Sequence, residues 1–149
     1  MRVSVIGGGT VPAEIEAVAE EVGRSLADRG HTVVCGGLTG VMTGVCRGAQ
    51  AAGGRTIGIL PTDRVGDANE HVTDPIATGL GHARNALVVM NGEAAIAIDG
   101  GPGTLSEIGL ALAYDRPVAG LDTHDVPGVA AVEDPQAAVD HVEAAVDLR

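Results

Sequence analysis

The sequence predicts an α/β fold in which a mostly parallel sheet lies between two layers of helices. Short apolar runs alternate along the chain with segments of helical periodicity. The runs are apolar at nearly every position, which is typical of strands that helices cover on both faces. No repeat, low-complexity tract or linker interrupts the 149 residues. We therefore expect residues 1–149 to form one domain, a Rossmann-like three-layer sandwich.

The first half of the chain predicts three strands separated by two helices. Each strand is a short apolar run that stops at glycine or proline: Arg2–Ile6, His31–Cys35 and Arg55–Leu60. The first helix rests on apolar residues at helical spacing, namely Ile15, Val18, Val22 and Leu26, and it ends at Gly30. The second helix covers about Thr39–Ala52 and stops at the glycine pair that follows.

The middle of the chain, Thr62–Thr78, has no clear periodicity and is rich in turn formers. We expect a loop that includes a short strand near His71–Thr73, and the length of the segment favours either a functional loop or an unrecognised element. The remaining predicted helices are Gly79–Met90, Thr104–Tyr114 and one that begins at Asp134-Pro135, an N-cap residue followed by a first-turn proline. The remaining predicted strands are Ala94–Ile98, Arg116–Leu121 and Val129–Val132.

The charge balance restricts the classes of partner. Twenty acidic residues face nine basic ones, all of them Arg, and the net charge is −11. This charge argues against nucleic acid as a partner and is typical of proteins that work at high salt. No apolar run is long enough to cross a membrane, and Cys35 and Cys46 fit no metal or redox spacing. We expect a cytoplasmic protein without a metal site.

Three predicted strands end in glycine-rich turns, at the edge where parallel sheets of this kind bind ligands. Glycine lets the backbone approach a ligand closely, and free N–H groups at a helix start attract anions. We therefore expect a site for a phosphate-bearing ligand. Its candidate residues are Gly8, Gly9, Gly36, Gly37, Gly40, Gly100, Gly101, Gly103 and Thr104. Neither the dinucleotide fingerprint nor the lysine-containing phosphate loop is present, so a purely architectural role for these turns remains the alternative.

Glu107 is the most informative single residue. Thr104 and Glu107 have the spacing of a capping box, which would be a structural role. Alternatively, the Glu107 carboxylate faces the ligand, where it could bind a ribose hydroxyl or orient a water. Arg84 lies in the preceding predicted helix and is a ligand contact, a solvated surface residue or the partner of a nearby acid. The five histidines show no ligand spacing.

Five segments together point to a family: Gly36–Met42, Gly48–Gly54, Ile57–Pro61, Ala83–Asn85 and Gly100–Glu107. From about Val3 to Leu121 the chain resembles the LOG-like superfamily. This group includes cytokinin-activating phosphoribohydrolases, long mislabelled lysine decarboxylases, with the DNA-processing protein DprA as a more distant relative. A short branch contains the molybdenum cofactor carrier proteins.

The resemblance implies that Met42 and Asn85 join the ligand site. It also implies catalytic roles in N-glycosidic bond hydrolysis, with Glu107 steadying the ribose or attacking water and Arg84 stabilising the phosphorylated or departing part. Two positions depart from the enzymes: Asp99 replaces a Pro, and Asn85 replaces a Lys. Both variants look more like the carrier branch.

Three hypotheses follow. The chain is a binding protein for a phosphate-bearing nucleotide or pterin-type cofactor, a nucleoside 5′-monophosphate phosphoribohydrolase, or a structural or regulatory dimer. We expect a bound nucleotide, phosphate or molybdopterin-type ligand, with no cofactor required for activity. The family resemblance implies a homodimer or higher homo-oligomer. Lysine decarboxylation is excluded because no Lys exists to form the Schiff base of pyridoxal phosphate.

Overall fold

The computed structural model describes residues 1–149 and contains a seven-stranded sheet with five α-helices. The strands are β1 Arg2–Gly7, β2 Thr32–Cys35, β3 Thr56–Leu60, β4 Asp74–Ala77, β5 Ala94–Ile98, β6 Val118–Leu121 and β7 Val129–Ala131. The helices are α1 Ala13–Asp28, α2 Val41–Ala51, α3 Asn85–Met90, α4 Pro102–Ala113 and α5 Pro135–Asp147. Two 3₁₀ turns, Val65–Asp67 and Gly81–Arg84, complete the elements.

The sheet has the strand order β4-β3-β2-β1-β5-β6-β7, and every neighbouring pair is parallel. The chain builds outward from β1 to β4, and α3 then carries it back so that β5 lies against the other side of β1. The strand order therefore reverses between β1 and β5. In open sheets of this kind, the turns that follow two such strands separate and leave a crevice.

Helices cover both faces of the sheet, which confirms the predicted three-layer α/β fold. On one face α1, α2 and α5 pack on a core that includes Val3, Val33 and Ile96. On the other face α3 and α4 pack on a second core that includes Ile6, Val34 and Ile108. Because residues of β1 alternate between the two cores, this central strand is buried on both sides. None of the helices has the length and apolar composition needed to span a bilayer.

The segment between β3 and α3 differs from the prediction. It contains β4, which begins after the short strand predicted near His71–Thr73, and β4 pairs with β3 as an edge strand. Asp74 and Pro75 disfavour a central strand, but an edge strand tolerates proline because one side needs no hydrogen-bond donor. The predicted helix Gly79–Met90 is wrong in its first half, where a 3₁₀ turn precedes a shorter α3.

Candidate functional site

A cleft of about 240 Å³ opens at the carboxyl edge of the sheet, where the strand order reverses. Four segments of the chain line it: the turn after β1, the turn and helix start after β2, the 3₁₀ turn that leads into α3, and the first turns of α4. Their residues at the cleft include Gly7, Gly8, Gly9, Gly36, Met42, His82, Arg84, Asn85, Gly101, Pro102, Gly103, Thr104 and Glu107. Most of the residues predicted from the glycine turns and the family resemblance therefore meet in one place.

The first two turns approach each other so closely that only glycine fits between them. Gly40 has a φ of 65°, and a Cβ atom there would collide with the carbonyl oxygen of Gly8. Two hydrogen bonds join the turns: Val41 N–H donates to the Gly8 carbonyl at 3.0 Å, and the Thr39 hydroxyl donates to the Gly9 carbonyl at 2.7 Å. This part of the cleft wall is thus fixed by backbone contacts.

Three of the predicted ligand-binding glycines lie behind the cleft. Gly37, Gly40 and Gly100 all have positive φ angles and are absent from the lining. Gly37 lies against Leu60, and Gly100 lies against the Thr104 side chain. These three glycines allow the turns to form, and residues adjacent to them in sequence, such as Gly36 and Gly101, line the cleft.

Arg84 is buried, so the alternative of a solvated surface residue is wrong. Only 8% of the residue is exposed, and its Nε donates to the Ile59 carbonyl at 2.8 Å. Its Nη2 donates to the Gly36 carbonyl at 3.5 Å, and its Nη1 donates to the Asn85 side-chain oxygen. Burial lowers the pKa of the guanidinium and the Glu107 charge opposes that shift, but an arginine stays protonated at any physiological pH. These contacts hold a fixed positive charge at the cleft.

The start of α4 differs from the capping box that the sequence suggested. Gly101 is the residue before the helix and Pro102 its first residue, so Thr104 lies inside the helix rather than at its cap. Proline at the first position and an extended glycine before it begin the helix two residues early. No side chain caps this end. The backbone N–H groups of Gly103 and Thr104 therefore lack acceptors, as do those of Gly9 and Gly101 in the flanking turns.

Two side chains on α4 are buried at the cleft without a hydrogen-bond partner. Thr104 is 3% exposed and Glu107 is 8% exposed, and neither the hydroxyl nor the carboxyl bonds to another group of the chain. Burial raises the pKa of Glu107 to about 7, against the opposing effect of the Arg84 charge. Glu107 and Arg84 do not form an ion pair within 4.0 Å. Their polar atoms are accessible from the cleft rather than fully enclosed, so a ligand bound there can pair with them.

Asp99, the extra carboxylate at the glycine turn, does not line the cleft. It has a φ of 51°, its N–H donates to the Leu121 carbonyl at 3.1 Å, and its own carbonyl accepts the Thr123 hydroxyl at 2.7 Å. The titratable groups at the cleft are thus His82, Arg84 and Glu107. Sequence reasoning missed His82, whose only signal is its position two residues before Arg84 in a turn.

Comparison with known proteins places the chain in a family. The model of the SLOG cluster4 family matches residues 1–148. The chain belongs to this family. The predicted LOG-like resemblance is thereby confirmed. DNA processing protein A from Streptococcus pneumoniae is 18% identical with a TM-score of 0.75, and the alignment covers 93% of this chain and 60% of that one. At this identity the likeness shows a shared fold only.

Two similar structures are those of a molybdenum cofactor carrier protein and a molybdenum cofactor binding protein. The Moco carrier protein of Chlamydomonas reinhardtii is 31% identical with a TM-score of 0.90, and the alignment covers 99% of this chain and 98% of that one. The molybdenum cofactor binding protein of Rippkaea orientalis is 32% identical with a TM-score of 0.85, covering 96% and 94%. Both match this SLOG protein along nearly its whole length.

An enzyme is similar over a shorter stretch. The cytokinin riboside 5′-monophosphate phosphoribohydrolase of Mycobacterium tuberculosis is 36% identical over 119 residues, which are 77% of this chain. The match spans 61% of that enzyme. A good part of the enzyme therefore has no counterpart in the aligned region.

Proposed function

We propose that this protein binds a phosphate-bearing cofactor of pterin or nucleotide type in the cleft between β1 and β5. The similarity to a Moco carrier protein and to a molybdenum cofactor binding protein supports this class of ligand. The observation that carries the proposal is the uncapped start of α4, next to two buried polar side chains that have no partner in the chain. A ligand with a phosphate and further hydrogen-bonding groups would satisfy both.

The electrostatics of the cleft favour an anion although the whole chain is acidic. The N-terminus of α4 carries a partial positive charge, which favours a bound anion by about 0.3–1 kcal/mol, or about 2 kcal/mol where it is partly buried. Arg84 adds a full charge, fixed by carbonyl acceptors rather than neutralised by a carboxylate within hydrogen-bond distance. Because Asp99 lies outside the lining, it does not oppose the phosphate there.

The size of the cleft restricts how the ligand sits. Pockets that enclose a whole small-molecule ligand measure roughly 300–1,000 Å³. The cleft, at about 240 Å³, is smaller. It would hold the phosphate and the group next to it, with the rest of a nucleotide or pterin extending outward.

Ligand-induced stabilisation tests the proposal. A ligand that binds only the folded state at about 100 times its Kd adds about 2.7 kcal/mol to the free energy of unfolding. We expect AMP, GMP or a pterin phosphate to raise the unfolding temperature, and Thr104→Val to reduce that rise. Ser106→Ala is the matched control, because Ser106 lies on the same turn but donates to the Gly103 carbonyl and does not line the cleft. No stabilisation by any of these ligands would contradict the proposal.

A second candidate function is hydrolysis of nucleoside 5′-monophosphates. The observation that favours it is the presence of Arg84 and Glu107 in one cleft, since these are the two residues that the resemblance to the phosphoribohydrolases implies. A carboxylate near the ribose would stabilise an oxocarbenium-like transition state or orient the attacking water. Release of free base from a mononucleotide, abolished by Glu107→Gln, would support this function. No release from any mononucleotide by folded protein would exclude it.

We also propose an oligomeric state, a cellular compartment and a salt requirement for the protein. The family resemblance favours a homo-oligomer, and exposed apolar side chains at Met90 and Leu105 on α3 and α4 support it. Two free cysteines, Cys35 and Cys46, agree with a cytoplasmic protein. The excess of acidic residues supports work at high salt, which a salt titration of stability tests.

A further inference from the structure

Glu107 decides how the net charge of the cleft changes with pH. It is the only charged residue of α4, and the neighbouring segments α3, β5 and β6 carry no charged side chain. The titratable groups that share the cleft with it are Arg84, which stays charged, and His82, which is exposed. Behind Gly36, the Cys35 thiol stays neutral, because its hydrogen bond with Cys46 and its burial raise its pKa well above the ordinary value.

The carboxyl of Glu107 and a bound phosphate would compete for the same positive charge. Arg84 is the one cation at the cleft, and its field is what favours the charged form of Glu107. A phosphate dianion placed there would draw on the same guanidinium and repel a carboxylate on the adjacent helix turn. A neutral carboxyl, by contrast, has a hydrogen to donate to a phosphate or carbonyl oxygen.

We infer that Glu107 takes up a proton when an oxyanion binds in the cleft, so that binding is linked to protonation and the protein releases its ligand as the pH rises above neutral. The inference rests on the proposed function, because it concerns the anion that the cleft is proposed to hold. It adds that pH regulates the affinity of that site for its ligand.

The sign of the effect follows from the two states of the carboxyl. Burial already raises the pKa of Glu107 to about 7 in the free protein, and a bound anion raises it further. Below the free value the carboxyl is neutral in both states, and binding is strongest. Between the free and bound values each binding event takes up a proton, and the affinity falls by up to about tenfold per pH unit.

Sulfate is the cleanest probe, because its charge does not change near neutral pH whereas that of a phosphate ester does. Calorimetric titration of the folded protein with sulfate at pH 7.5, in two buffers of different ionisation enthalpy, measures the protons taken up. We expect uptake of about half a proton and an affinity that falls about tenfold or less from pH 7 to pH 8.5. AMP titrated in parallel reports on the proposed ligand class.

Two variants show which side chain takes up the proton. In Glu107→Gln the side chain keeps its shape and loses its titration, so proton uptake and the pH dependence of affinity should both disappear. In His82→Gln both should persist, because the His82 side chain is exposed whereas the Glu107 carboxyl is buried beside the Arg84 charge. If Glu107→Gln fails to fold, the comparison of wild type with His82→Gln decides the matter, since loss of uptake in His82→Gln would overturn the inference.

The outcomes distinguish this inference from the proposed function. Binding of sulfate or AMP without proton uptake, at an affinity that is constant from pH 7 to pH 8.5, would overturn the inference and leave the proposed function standing. Binding of neither probe at any pH would overturn both. Uptake that depends on Glu107 supports both.

Discussion

Two helices of this protein begin in nearly the same way and yet have opposite properties. Both α4 and α5 have proline at their first position. Before α5, the Asp134 side chain accepts the Ala137 N–H at 2.8 Å, so the helix start is capped within the chain. Before α4, Gly101 offers no side chain, and the first N–H groups stay free at the cleft. A single side chain at the cap therefore separates a structural helix start from one that can bind an anion.

A second cavity is larger than the cleft but lacks the features that favour an anion. A larger cavity of about 430 Å³ lies near the start of α5, between α1 and the ends of β6 and β7. Its polar side chains include Asp122, Asp125 and Glu133, and no arginine lines it. An anionic ligand fits the smaller cleft because free N–H groups and Arg84 are there.

Glu107→Gln should have the largest effect on stability, because it removes a carboxylate whose charge is costly to bury. The pKa of Glu107 in the folded protein is about 7, above its ordinary value of 4.5, so the free energy of unfolding falls as the pH rises through this range. We expect the variant to be more stable than wild type at pH 8 by about 2–3 kcal/mol, and nearly equal at pH 4.5. Urea unfolding at both pH values measures this, and an equal difference at the two pH values would contradict it.

Gly101→Asp should convert the start of α4 into a copy of the start of α5. A Cβ atom at Gly101 has no neighbour within 4 Å, and its φ of −113° suits any residue. The new carboxylate would accept the free N–H groups, stabilise the helix by about 0.5–1 kcal/mol and repel an anionic ligand. We expect AMP affinity to fall at least about tenfold, equivalent to about 1.4 kcal/mol.

The control for that substitution is Gly101→Ala, which adds a side chain of similar bulk at the Cβ position without a charge or an acceptor. It should keep the affinity of the wild-type protein. Equal losses in the two variants would mean that crowding, rather than competition for the N–H groups, disturbs the site.

Asp134→Ala makes the reverse change at α5. Removing the cap leaves the Ala137 N–H without its acceptor, and we expect the free energy of unfolding to fall by about 1 kcal/mol. The affinity for AMP should not change, because Asp134 does not line the cleft. Chemical denaturation and ligand titration of the same variant test both halves of the prediction.

Glu143→Gln should have the smallest effect, a loss of stability near neutral pH that disappears in acid. Its hydrogen bond with His31 at 2.6 Å, followed by that with Arg29 at 2.9 Å, lowers the pKa of Glu143 on α5. A lowered carboxylate pKa stabilises the fold above the unfolded value of about 4.3, and this stabilisation is lost as the pH falls below it. The variant should therefore lose less stability than wild type between pH 5 and pH 3, as followed by circular dichroism. A parallel loss in both proteins would contradict this.

The sequence was sufficient to predict the fold and a set of candidate residues that mostly line one cleft, because both depend on patterns of several residues. Apolar runs and glycine turns predicted the parallel sheet. The family motifs singled out Arg84 and Glu107, and the structure places both residues at one cleft. Predictions that depended on one or two residues were wrong where the neighbouring structure determines the conformation. The strand β4 was not predicted, and its residues Asp74 and Pro75 are tolerated in a strand because β4 lies at the edge of the sheet. Thr104 has the spacing of a cap, but Pro102 begins the helix before it.

The central claim is that the free N–H groups at the start of α4 bind the anion of the ligand, and amide chemical shifts test it most directly. AMP should be titrated into ¹⁵N-labelled protein while the resonances of Gly101, Gly103 and Thr104 are followed, with the capped Ala137 of α5 as the internal reference. We predict that the three α4 amides shift strongly and saturate together while the Ala137 amide stays in place. Saturable binding that leaves the α4 amides unmoved would contradict the account.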